Sequence, residues 1–224
     1  MKTIVPSRFV LEAIDQKTEC VTSDISFEVS DIAELYRMIG INAAEFDAGA
    51  VYALQLRDLV QLKSRFKIAF EPEAGYVRLR HSNPLDDLPY KIHTGRELTL
   101  MLEGGKPLAS FSGQYPLASD FEEIPERLFD PYVGQGHFIK REYVMLADYS
   151  GPALQRAGLR MRIVMYALPH QEWRINAMTL LMESAVKCGW NEGFERMQGS
   201  LLGYEDWQND IFIEKIYRPT HEKP

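Results

Sequence analysis

The chain changes its hydrophobic period twice. In "SDIAELYRMIG", residues 30–40, Ile32, Leu35, Tyr36 and Ile39 recur at the spacing of one helical face. Ser30 or Asp31 stands where an N-cap belongs, and Gly40 where a helix stops. "VYALQLRDLVQLKSRFKI" continues in that style, with Leu56, Leu59, Val60, Leu62 and Phe66 forming a broad apolar stripe; its beginning also suits a short strand. On this pattern the first 70 residues are read as mostly helical.

After "FEPEAG" the period drops to two. "YVRLRHS" places Tyr76, Arg78 and Arg80 on one face and Val77, Leu79 and His81 on the other, the pattern of a strand with one buried side. "NPLDDLP" is a turn-rich connector, and "PLASFS", "GHFIKREYVMLADY" and "LRMRIVMYAL" follow as strands. In the last of these, Leu159, Met161, Ile163, Met165 and Ala167 face a core. Arg160 and Arg162 sit opposite them and give way to Val164 and Tyr166, so the strand passes from half-exposed to covered. From Pro169 the helical period returns: Ile175, Met178, Leu181, Met182 and Ala185 form a stripe that ends at Lys187, Cys188 and Gly189. "NEGFERMQG" and "YEDWQNDIFIEKIY" predict two more helices, separated by "SLLG".

Helices, then strands, then helices predict an α+β fold, with a largely antiparallel sheet over about residues 75–168 flanked by N-terminal and C-terminal helices. No boundary is sharp, so a single domain over 1–224 is expected. Within it lie a helical N-terminal subregion 1–72, a sheet region 73–168 and a helical C-terminal region 169–224.

Composition narrows the partners. The formal net charge of −7, from 32 acidic and 25 basic residues, argues against phosphate-backbone binding, which needs an excess of Lys and Arg. Nucleic acid is therefore the least favoured partner, and the basic runs "KSRFK" and "VRLRH" read as solvated faces. Two cysteines, Cys20 and Cys188, make no disulfide framework. The start "MKTIVPSRFVLEAID" lacks a signal-peptide pattern, and no apolar run approaches the length of a membrane span. A cytoplasmic setting without membrane contact is the expectation.

The strong catalytic signatures are missing. H-E-x-x-H, G-x-S-x-G and the phosphate-binding G-x-x-x-x-G-K-[ST] do not occur, and His81, His93, His137, His170 and His221 are too scattered for a local metal motif. No cofactor is indicated. In "GQGHFI", Gly134 and Gly136 have two of the three glycines of a dinucleotide loop but precede a strand, so they are read as turn glycines.

The best candidate is "YKIHTGRELTLMLEGGKPLASF", residues 90–111. Most of it reads as helix punctuation: Thr94 and Glu97 fit a capping box, Leu98, Met101 and Leu102 a buried face, and Gly104-Gly105 a stop. His93 and Arg96 are left over. A strand-to-helix junction offers free amides and a positive dipole end, and a first-turn arginine is unfavourable unless something acidic faces it. A small anion would do so, and so would an internal ion pair to Asp86, Asp87 or Glu123. His93 then becomes the candidate general acid/base, because imidazole titrates near neutrality. Arg96 and Thr94 are the candidate anion ligands, with Lys106, His137 and Arg141 in support. The alternative is a non-catalytic interaction module that meets a protein partner through aromatic-rich terminal helices, where Trp173, Tyr204 and Trp207 stand.

Overall fold

The computed structural model describes residues 7–41, 49–72, 75–115, 124–146 and 160–221. The class is α+β, with two antiparallel sheets and a set of α-helices among the described residues. The chain divides into two compact units, Met1–Arg96 and Glu97–Pro224.

The first unit corrects the helical reading of residues 1–72. Its sheet has the order β2-β1-β4-β3, from β1 (Ser7–Ile14), β2 (Val21–Val29), β3 (Val51–Leu54) and β4 (Tyr76–His81). β1 was missed for a physical reason. It is a central strand, paired with β2 on one side and β4 on the other, and it is buried from Phe9 to Ile14. A strand covered on both faces shows an apolar run rather than alternation, and period alone does not separate it from a helix.

The two helices expected in this unit are present as α1 (Ile32–Met38) and α2 (Leu56–Phe66). Asp31 caps α1, its carboxylate accepting from the Glu34 amide at 3.1 Å. The stripe on α2 is narrower than the pattern suggested: Leu59 and Leu62 are buried, whereas Leu56 is 78% and Val60 57% exposed. Leu35, Tyr36, Leu59 and Leu62 pack on Phe9, Leu11, Phe27 and Leu79 to form the core. Each fully buried leucine there contributes about 2 kcal/mol by leaving water.

The second unit holds the sheet β5-β7-β6, from β5 (Leu108–Tyr115), β6 (Ile139–Leu146) and β7 (Arg160–Ala167). β7 is the centre, and its covered end is buried on both faces, as its apolar run implied. Its Ile163, Met165 and Ala167 pack under α5 (Glu172–Cys188), whose Ile175, Met178 and Leu181 form the expected stripe. On the opposite face Tyr166 and Phe111 meet Phe129 of α4 (Glu126–Gly134), with ring centroids 4.7 and 5.1 Å apart. α6 (Glu192–Leu201) and α7 (Asp206–Phe212) follow, and α7 continues through a wide turn over Ile213–Tyr217. α3 (Glu97–Leu102) buries Leu98 and Met101 in this unit. Gly136 takes a left-handed φ of 78°, while Gly134 is the last residue of α4. Leu159 lies outside the described residues.

Candidate functional site

The His93–Arg96 segment is a turn rather than a helix start. Gly95 adopts φ 74°, and the Arg96 amide donates to the His93 carbonyl at 2.9 Å. The helix begins only at Glu97, so Thr94 does not stand at its N-cap and the expected capping box gives way to this turn. Gly95 is needed there because the left-handed region is cheap only without a Cβ. Its carbonyl accepts from the Val21 amide at 2.8 Å, which fastens the turn to the start of β2.

That fastening turns Arg96 inward. Its Nη2 donates to Asp24 Oδ2 at 2.5 Å and its Nη1 to the Val21 carbonyl at 2.8 Å. Lys91 pairs with the other oxygen of the same carboxylate. The internal ion pair weighed for Arg96 therefore exists, with Asp24 as the acid in place of Asp86 or Asp87, while Glu123 lies outside the described residues.

Beside it lies a second set of charges. Glu12, 5% exposed on β1, accepts from Arg78 Nε at 2.6 Å and from Arg80 Nε at 2.8 Å. Arg80 also forks onto Asp86 at 2.7 and 2.8 Å. The hydrogen bonds that Arg80 donates to Asp86 hold it well above its usual basicity against the opposing pull of burial, with Glu12 adding to the effect. Arg80, Lys91 and Arg96 face Glu12, Asp24 and Asp86 around a cavity of about 60 Å³, with Thr94 at its wall. Cations and carboxylates balance there. The cavity has room for a few waters or one small ion.

The remaining sequence candidates are divided between the two units. His93 and Thr94 belong to the first unit, while Lys106, His137 and Arg141 belong to the second. Lys106 is 3% exposed; its Nζ donates to the Leu202 carbonyl at 3.3 Å and lies 5.8 Å from the Tyr204 ring centroid. Burial pulls its amine down to about 8, opposed by Glu97. His137 is exposed just before β6, its ring edge-on to Tyr132. Arg141 is exposed and pairs with Glu172. Among the described residues no group of His, Cys, Asp and Glu could hold a metal ion.

Sequence reasoning passed over a larger feature. α5 is apolar on a second side, where Trp173, Ala177 and Leu180 follow one another at helical spacing with Ser184 beyond them. With Phe194, Met197 and Leu201 of α6 they line an open groove of about 680 Å³. Trp173 is 54%, Leu180 64% and Met197 49% exposed. The row from Trp173 to Ser184 runs about 16 Å along the helix at 1.5 Å per residue. The signal was the pair Leu180-Leu181: neighbours on a helix point about 100° apart, so both cannot serve one core stripe.

One cation stands at this groove without a carboxylate among the described residues. Arg174 donates through Nε to Gln171 Oε1 at 2.8 Å and through Nη1 to the carbonyls of Ser200 and Leu201 at 2.8 and 3.0 Å. Its guanidinium lies 4.7 Å from the Trp173 ring centroid, and burial lowers its basicity. Arg196, also at the groove, is answered by Asp210 at 2.6 Å.

The sequence matches no family model, and neither a curated protein nor a solved structure matches the chain. Among the described residues no helix is long and apolar enough to cross a membrane.

Proposed function

We propose that the chain is a protein-interaction module whose α5–α6 groove takes an amphipathic helix of a partner protein, one that carries a carboxylate beside its apolar row. The observation that carries this reading is the groove itself: Trp173, Leu180 and Met197 stand in water beside Arg174, which no carboxylate answers among the described residues. A contiguous exposed apolar surface is costly to keep in water and marks interaction sites. A row of about 16 Å matches roughly three turns of helix, the usual length of a helix-in-groove contact. Arg174 selects the partner's charge: a desolvated guanidinium gains most from a carboxylate and repels a lysine. Its Nη2 is directed to no acceptor in the hydrogen bonds above, so a bound carboxylate would complete the fork.

The anion reading around Arg96 is less well supported, because an incoming anion would have to displace Asp24 from a balanced cluster.

The test uses a synthetic 14-residue amphipathic helix with one Glu beside its apolar row, and a matched peptide with Lys in that place. Trp173 emission should shift to the blue with the Glu peptide. The Lys peptide should bind about tenfold more weakly or worse. Leu180→Asp should abolish the shift, and Arg174→Gln should erase the Glu-over-Lys preference. Equal binding of both peptides, or unchanged binding by Leu180→Asp, defeats the proposal. Concentration-dependent self-association lost in Leu180→Asp would put a second copy in the groove and overturn the partner reading.

A further inference from the structure

The sheet of the second unit is built unevenly on its α5 side. At one end Ala167 pairs with Leu108 on one side and Ile139 on the other, and α5 seals them with Ile175, Met178 and Leu181. Towards the other end β5 places Ser110 and Ser112 on this same face, opposite Met165 and Ile163. Small polar side chains sit where the layer calls for leucines, and a cavity of about 410 Å³ results.

Its walls are apolar and soft. Met145 and Met161 are direct partners across β6 and β7, and Met182 of α5 faces them with Trp190 beyond the helix end. Methionine walls adapt to a guest's shape better than branched ones. Against them stand a few convergent polar groups, the pattern of a small-molecule pocket. Among the described residues Ser110 Oγ, Ser112 Oγ and the Gln198 amide have no hydrogen-bond partner. Glu195, the one charged residue among the described residues of the wall, accepts from the Trp190 indole through Oε2 at 2.6 Å. Its other oxygen faces no donor among the described residues.

We propose that this cavity binds a small molecule with an apolar body and a protonated amine, the amine held by Glu195 and the Trp190 ring. The carboxylate excludes anions, because a second negative charge in a low-dielectric pocket is strongly repelled. An ammonium gains both from the carboxylate and from an aromatic face. Ser110, Ser112 and Gln198 supply donors and acceptors for one more polar group on the ligand. This site is distinct from the α5–α6 groove and stands or falls separately.

Three probes of one shape decide it, titrated calorimetrically into the full chain: 2-phenylethylamine, 2-phenylethanol and 3-phenylpropanoate. The amine should bind about tenfold more tightly than the alcohol, the ratio expected of one charge-assisted hydrogen bond, and the acid should not bind. Glu195→Gln should bring amine and alcohol to equal affinity. Ser112→Leu, which fills the cavity, should abolish binding while the melting temperature holds or rises. Absence of amine binding, equal binding of the acid, or an unchanged amine preference in Glu195→Gln overturns the proposal. The Ser112→Leu variant separates a lost pocket from a lost fold, since its melting temperature reports the fold directly.

Discussion

The charged cavity beside Arg96 and the apolar groove on α5 and α6 are opposites. The first is about 60 Å³, and its cations and carboxylates answer one another. The second is about 680 Å³, walled by tryptophan, leucine, phenylalanine and methionine, with Arg174 unanswered among the described residues. The residues most conspicuous in the sequence are committed to holding a turn against a strand. Apolar residues that carry no such chemistry, Leu180 and Met197, lie in water. Polar chemistry in a sequence signals a site only if the fold leaves it something to bind.

Substitutions sharpen that contrast, beginning with the largest effect. Glu12→Ala should destabilise the protein by about 3 kcal/mol in urea unfolding, because Arg78 and Arg80 lose the buried carboxylate between them. A loss under half that size would show the cluster to be surface-like and break the comparison. Gly75→Ala should cost about 2 kcal/mol: φ is 141° and the new Cβ would sit 1.9 Å from the Ile14 carbonyl oxygen. Arg96→Ala should cost about 1–2 kcal/mol, since Lys91 still holds Asp24. Phosphate and acetate should leave the melting temperature of the wild type unchanged. A gain that Arg96→Ala removes would restore the small-anion reading.

The groove should behave in the opposite way. Leu180→Asp should change stability by no more than about 0.5 kcal/mol, as befits a side chain that touches little in the free protein. Unfolding of that variant would show the groove to be core.

Acid titration gives the most specific test. Arg162, with Lys140 adding to it, lowers Glu126 from 4.5 to about 2. As the pH falls between those values the unfolded chain takes up the proton before the folded one does. The contribution of Glu126 is therefore complete above about 4.5 and drains away towards about 2. Glu126→Gln should flatten the acid limb of stability over that window and leave neutral behaviour of the groove untouched.

Much of this was legible in the chain. The alternation at Tyr76–His81 gave β4, and Val77 and Leu79 are on its buried side. The stripe through Ile175, Met178, Leu181 and Ala185 gave α5 and its core face. Asp31 and Gly40 marked the ends of the first helix, and the change of period gave an α+β class with antiparallel pairing. Local rules suffice wherever one side of an element meets water, because burial then writes its period into the sequence.

Tertiary structure decided the rest. β1 was hidden because both of its faces are covered, a condition created by segments far along the chain. Arg96 looked unpaired until β2, from 72 residues away, brought Asp24 to it. Thr94 looked like a helix cap until the turn at Gly95 delayed the helix to Glu97. Trp173 and Leu180 are left exposed because the packing of α5 against its sheet uses the other side of the helix. The sequence alone determined the elements that keep one side in water, such as β4 and α5. Long-range packing assigned which charges are neutralised and which apolar faces are left in water, since both depend on contacts that no local pattern encodes.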